Sequence, residues 1–88
     1  MKLKGDFVVR SVMDNNVVIP IGQTALKIKG MILLNDVSMV IWECLLNKCD
    51  VETIVSAVTD KFEVSDAEAR TDIIEFLDLL RKAQLLDE

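Results

Sequence analysis

The sequence predicts an α+β domain in which a three-stranded antiparallel sheet is followed by three helices. Three observations carry that prediction. Up to Leu34 the apolar residues fall in short runs rich in β-branched side chains: Phe7–Met13, Val17–Ile19 and Met31–Leu34. Beyond Asn35 they recur at helical spacing. Asn35 itself follows an apolar run without a spacer, and an Asn side chain there can accept from an orphan N–H of a first helical turn.

Taken in order, Phe7-Val8-Val9-Arg10-Ser11-Val12-Met13 reads as a half-buried strand, with Arg10 and Ser11 breaking the apolar run. Asp14-Asn15-Asn16 is predicted to turn, because such side chains bond their own backbone and tolerate left-handed φ. Val17-Val18-Ile19 returns, and Pro20, which cannot donate to a ladder, marks that strand as short or partly at an edge. Between Ile21 and Lys29 the pattern is mixed: Gly22-Gln23-Thr24 resembles a loop, and Leu26-Lys27-Ile28-Lys29 alternates like a brief strand. Gly30 then punctuates, and Met31, Ile32, Leu33 and Leu34 form the third strand.

The first helix, about Asp36 to Asn47, is apolar nearly all round and belongs at the centre of the core, Trp42 included. Asp50 caps a second helix to about Phe62, with Val51, Ile54, Val55, Val58 and Phe62 on one stripe. Ser65-x-x-Glu68 is a capping box that opens a third helix to about Gln84, with Val64 placed to staple onto Ala69. On a helical wheel Ala69, Ile73, Phe76, Leu79, Leu80 and Ala83 make its core arc. A second row, Arg70, Ile74, Leu77 and Arg81, lines one side of that arc. It reads either as core edge with ion-paired arginines or as one wall of a groove for an apolar, acid-bearing peptide. Asp72 stands at the other margin of the arc, an acid that the wheel does not explain. Strands first and helices after, with two helices joined by the tight Glu63-Val64-Ser65 turn, is a winged-helix-like order.

Eighty-eight residues, half of them apolar, make a single domain spanning residues 1–88 with one core. No apolar run approaches the ~18 residues of a membrane span, and the N-terminus lacks the apolar core of a secretory signal, so the expected compartment is the cytoplasm. Two cysteines and no histidine make a poor metal set, and Cys44 reads as a small core residue. The net charge of −5 is unevenly spread: residues 1–35 carry five Lys/Arg against two acids, and residues 36–88 carry five against thirteen.

Phe7-Val8-Val9-Arg10, Gly30-Met31-Ile32-Leu33-Leu34-Asn35, Ile41-Trp42-Glu43, Phe62-Glu63-Val64-Ser65 and Ala69-Arg70-Thr71-Asp72-Ile73-Ile74-Glu75-Phe76-Leu77 occur here in a fixed order. Together, over nearly the whole chain, they resemble the PqqD-like family (pyrroloquinoline quinone synthesis protein D), the RiPP recognition elements of ribosomal peptide modification. One departure is Gln84, before Leu85-Leu86, where the family often has Gly. The resemblance implies a non-catalytic peptide chaperone without cofactor or metal. Such a protein binds the leader of a precursor peptide and presents it to a modifying enzyme, often a radical SAM enzyme. The leader would add to the third strand at Met31, Ile32, Leu33 and Leu34 and lie against Arg70, Ile74, Leu77 and Arg81 of the third helix. Lys27 and Lys29, beside that edge, would favour acidic leaders.

Other classes fit less well. A DNA-binding winged helix would read with its third helix, but Asp66, Glu68, Asp72, Glu75 and Asp78 outnumber Arg70, Arg81 and Lys82 there, so nucleic acid is not an expected partner. An enzyme would need a base or a phosphate loop, and the chain has no His, no Gly-rich loop and no nucleophile elbow. An interaction domain with another target, including a homodimer paired through the same strand edge, stays open beside the favoured reading.

Overall fold

In the computed structural model, which describes residues 1–28 and 30–87, the chain forms β1 (Lys2–Leu3), β2 (Phe7–Val12), β3 (Asn15–Pro20), α1 (Gly22–Lys27), β4 (Ile32–Leu34), α2 (Asp36–Leu46), α3 (Val51–Lys61), α4 (Asp66–Lys82) and β5 (Leu86–Asp87). The main sheet is antiparallel in the order β2-β3-β4. This is the expected α+β architecture, with two additions. The segment after Pro20 contains the short helix α1 where a loop and brief strand were expected, and β1 pairs with β5 to tie the two ends of the chain together.

The β2–β3 hairpin is tighter than its Asp/Asn cluster suggests. Val12 pairs with Asn15, leaving only Met13 and Asp14 in the turn, both at positive φ (49° and 68°). Two left-handed residues give the turn the twist of its flanking strands, which is why so short a loop suffices. β3 is the central strand, open on one side at its Ile19–Pro20 end. Pro20 is tolerated because it ends the strand, pairing with Phe7 beyond the reach of β4, whose ladder stops at Val18.

Each long helix begins as its sequence specifies. Asn35 accepts from Ser38 N–H at 2.8 Å, Asp50 from Thr53 N–H at 2.9 Å, and Ser65 Oγ from Glu68 N–H at 3.1 Å. Two helices end in the same way without glycine. At the end of α4, Gln84 (φ 60°) donates to the Arg81 carbonyl and Leu85 to the Leu80 carbonyl. At the end of α2, Lys48 (φ 59°) donates to Leu45 and Cys49 to Cys44. Both are Schellman closures, in which the residue after the cap turns left-handed and the next side chain folds back on the last turn. Gln84 therefore stops the helix as a glycine would. Leu85 tucks in, fully buried, and the partly buried Cys44 and Cys49 meet as the corresponding pair at the end of α2.

The core gathers Val18 and Leu34 from the sheet, Val40, Ile41, Trp42 and Leu45 from α2, Ile54, Val55 and Val58 from α3, and Ala69, Ile73, Leu77 and Leu80 from α4. Trp42 lies at its centre, edge-on to Phe7 with ring centroids 5.4 Å apart. Thr24 of α1 is buried too, and its hydroxyl accepts the Asp6 N–H at 2.8 Å. Gly5, at φ 110°, lies so close that an added Cβ would meet Thr24 Oγ1 at 2.8 Å.

Candidate functional site

β4 is the end strand of its sheet, and among the described strands it pairs with β3 alone. Its pleat sends Leu34 into the core and turns Leu33 outward, 67% exposed, with Met31 just before it also exposed. An edge strand presents a row of unsatisfied N–H and C=O groups. Where β4 ends, Asn35 starts α2 and a cavity of about 280 Å³ opens between α2 and α4. Val37, Ser38 and Ile41 line it on one side, with Asp72, Glu75, Phe76 and Leu79 on the other. A larger cavity, about 400 Å³, lies elsewhere, between the β1–β2 segment and α2 above the Phe7–Trp42 pair, away from the open strand.

The wall facing this groove differs from the row Arg70, Ile74, Leu77 and Arg81. Leu77 is only 1% exposed and belongs to the core, so it cannot contact a ligand. Arg70 faces α3. Its guanidinium makes a bidentate pair with Glu52 at 2.6 and 2.7 Å and a further bond to Asp66 at 2.7 Å. Those bonds raise the arginine further above its ordinary pKa and hold the Glu52 carboxyl below its own. Arg81 bonds Asp78 at 2.9 Å. Ile74 is half exposed on this same flank. The row is thus the core edge with paired arginines, one of the two readings its spacing allowed.

The physical reason is a modest rotation of α4. The wheel centres the apolar arc on Phe76 and Leu80, whereas packing against α2 and α3 draws Leu77 inward and leaves Leu79 half exposed and Ala83 exposed. The turn is less than half a residue step, about 40–50°. It exchanges the flanks: Asp72, Glu75 and Leu79 come to the groove. Asp72 was the one signal of this in the sequence, an acid at the margin of a supposed core arc.

Lys27 does not flank the groove either. It ends α1 and lines a separate cavity of about 220 Å³ with Lys4, Gln23, Ile28, Ala83 and Gln84. Lys29 lies outside the described residues. Among the described residues, no lysine lines the groove.

An α+β domain with an open strand edge leading into a two-helix groove is the class that fold and site define. A family model for coenzyme PQQ synthesis protein D (PqqD) matches residues 17–86, and the chain belongs to that family. The matched residues leave out Phe7-Val8-Val9-Arg10, so that part of the resemblance rests outside them. Among solved structures, one described as TbiB1 in complex with the TbiA(beta) leader peptide has the same fold. Its TM-score is 0.76 at 24% identity, over 99% of this chain and 95% of that one. No curated protein matches the chain.

Proposed function

We propose that the chain binds the extended leader segment of a ribosomally made precursor peptide and presents it to a modifying enzyme of the radical SAM class, without doing chemistry itself. The leader adds as a strand to β4 at Met31, Ile32, Leu33 and Leu34 and continues into the groove between α2 and α4. The observation that carries this reading is the unpaired edge of β4 running straight into an apolar-floored cavity. Membership of the PqqD family and a fold shared with a protein solved bound to a leader peptide support it. Among the described residues no helix is long and apolar enough to cross a membrane, and a cytoplasmic setting is part of the proposal.

The energetics favour moderate affinity. About four added backbone hydrogen bonds contribute roughly 0.5–1.5 kcal/mol each, while ordering the same peptide residues costs about 1–2 kcal/mol apiece. The ladder therefore nearly cancels, and apolar anchors on Phe76, Leu79 and Val37 supply the surplus. A Kd near micromolar or somewhat tighter follows, on the order of −8 kcal/mol. Titrating 15N-labelled protein with the leader of a candidate precursor peptide tests this directly. Amide shifts in Met31–Leu34 together with the Asp72–Leu79 stretch are expected, and saturation without movement of β4 would overturn strand addition.

A further inference from the structure

Apart from its apolar floor, the groove carries two carboxylates. Asp72 and Glu75 are both exposed on α4 and both line the cavity, and among the described residues neither is in an ion pair. The arginines of the same helix are engaged elsewhere, Arg70 with Glu52 and Asp66, Arg81 with Asp78. Among the described residues no Lys or Arg lines the central cavity, and its facing wall offers only the neutral polar groups Asn35 and Ser38. The Asn35 side-chain oxygen is already occupied by the Ser38 N–H. Along α4 the acidic character continues on one side with Glu68 beside Asp72, while on the other side Asp78, beside Glu75, is bonded to Arg81.

Two like charges one helical turn apart repel each other, and an acidic guest would add to that repulsion. A basic guest relieves it. A strand seated on β4 turns alternate side chains to opposite faces, so residues two apart, about 6.6 Å, face the same wall. That wall is acidic at Asp72 and Glu75 and apolar at Phe76 and Leu79. The long stem of a Lys or Arg can lie on Leu79 while its head reaches the carboxylates.

Resting on the peptide-binding reading above, we propose that the segment accepted by this groove is cationic: a Lys or Arg facing Asp72 and Glu75, with an apolar residue two positions away anchored on Phe76 and Leu79. Asp72 and Glu75 are then specificity-determining residues. This differs from the preference for acidic leaders expected from Lys27 and Lys29: Lys27 lines a different cavity, and Lys29 lies outside the described residues.

The test is selection of a displayed random 12-residue peptide library on the full chain and, in parallel, on the D72N/E75Q double variant. Both substituted side chains are exposed and nearly isosteric with their replacements, and an unchanged thermal melt checks that the variant folds. The wild-type chain is expected to enrich Lys or Arg severalfold at one position, with Leu, Ile, Val or Phe two residues away. The double variant should keep the apolar enrichment and lose the cationic one, and bind the best wild-type peptide about tenfold more weakly. Peptides that shift β4 amides but show neutral or acidic preference, or keep their basic preference on D72N/E75Q, would overturn the charge assignment and leave strand addition standing. Failure to select any peptide that shifts β4 would overturn both.

Discussion

The two flanks of α4 look interchangeable on a helical wheel and are not. One carries Arg70, Ile74 and Arg81, the other Asp72, Glu75 and Leu79. Each has an aliphatic residue at 50% exposure, Ile74 on the first and Leu79 on the second. On the first flank the charges are satisfied within the protein, through Glu52 on α3 and through Asp66 and Asp78 on α4 itself. On the second they line a cavity beside an open strand. Charge that is already paired is structural surface, whereas charge left unpaired beside a groove is available to a guest. Exposure alone would have ranked the flanks equally.

The sharpest way to probe this comparison starts with the residue between core and flank. Leu77→Ala should cost about 2–5 kcal/mol in urea unfolding, the penalty for a cavity at a buried leucine, and Ile74→Ala less than 1 kcal/mol. Equal costs would mean that α4 is rotated the other way. Next come the matched aliphatic residues. Leu79→Ala should weaken binding of a groove peptide by about tenfold, the effect of trimming an interface anchor, while Ile74→Ala leaves the Kd within twofold. Calorimetric titration of both variants with one peptide decides it.

A smaller effect separates stability from binding. Gln84→Gly relieves the left-handed φ at the end of α4 and should add about 0.5–1 kcal/mol of stability with no change in peptide affinity. A loss of stability would mean that the Gln84 side chain holds the cap by some contact of its own.

The smallest effect is a pH signature of the first flank. Glu52 is held below its ordinary pKa chiefly by its hydrogen bonds to Arg70. A carboxylate lowered on folding stabilises the protein above its unfolded pKa of about 4.3 and loses that contribution as pH falls through the folded value. Asp50, lowered by the Thr53 N–H it caps, acts in the same direction. Urea midpoints measured between about pH 6 and pH 2.5 should therefore decline toward acid, and less so in Arg70→Ala. An identical decline in the variant would show that the ion pair contributes nothing in solution, as many exposed pairs do not.

Much of the architecture was legible because its signals are local. Asn35, Asp50 and Ser65 start their helices where single residues can do so, and Met31–Leu34 and Val17–Ile19 gave themselves away as strands. What was missed depends on partners distant in sequence. α1 is a six-residue helix whose Thr24 is buried by accepting from Asp6, a contact that no pattern within 21–29 reveals. The β1–β5 pair joins residues more than eighty positions apart. At the candidate site, the strand expected over Met31–Leu34 runs over Ile32–Leu34, and none of Arg70, Ile74, Leu77 and Arg81 lines the cavity between α2 and α4. Arg70 has the right period for a groove cation, and only the position of Glu52 on α3 shows that it is paired within the fold.

By itself, the sequence determined the three strands of the main sheet and the three long helices with their starts, because period, capping chemistry and β-branched runs act over a few residues. The three-dimensional packing alone decided how far α4 turns about its axis. That angle is set by the fit of Leu77, Leu80 and Ile73 against α2 and α3, and it chooses which two of the helix's acids border the groove.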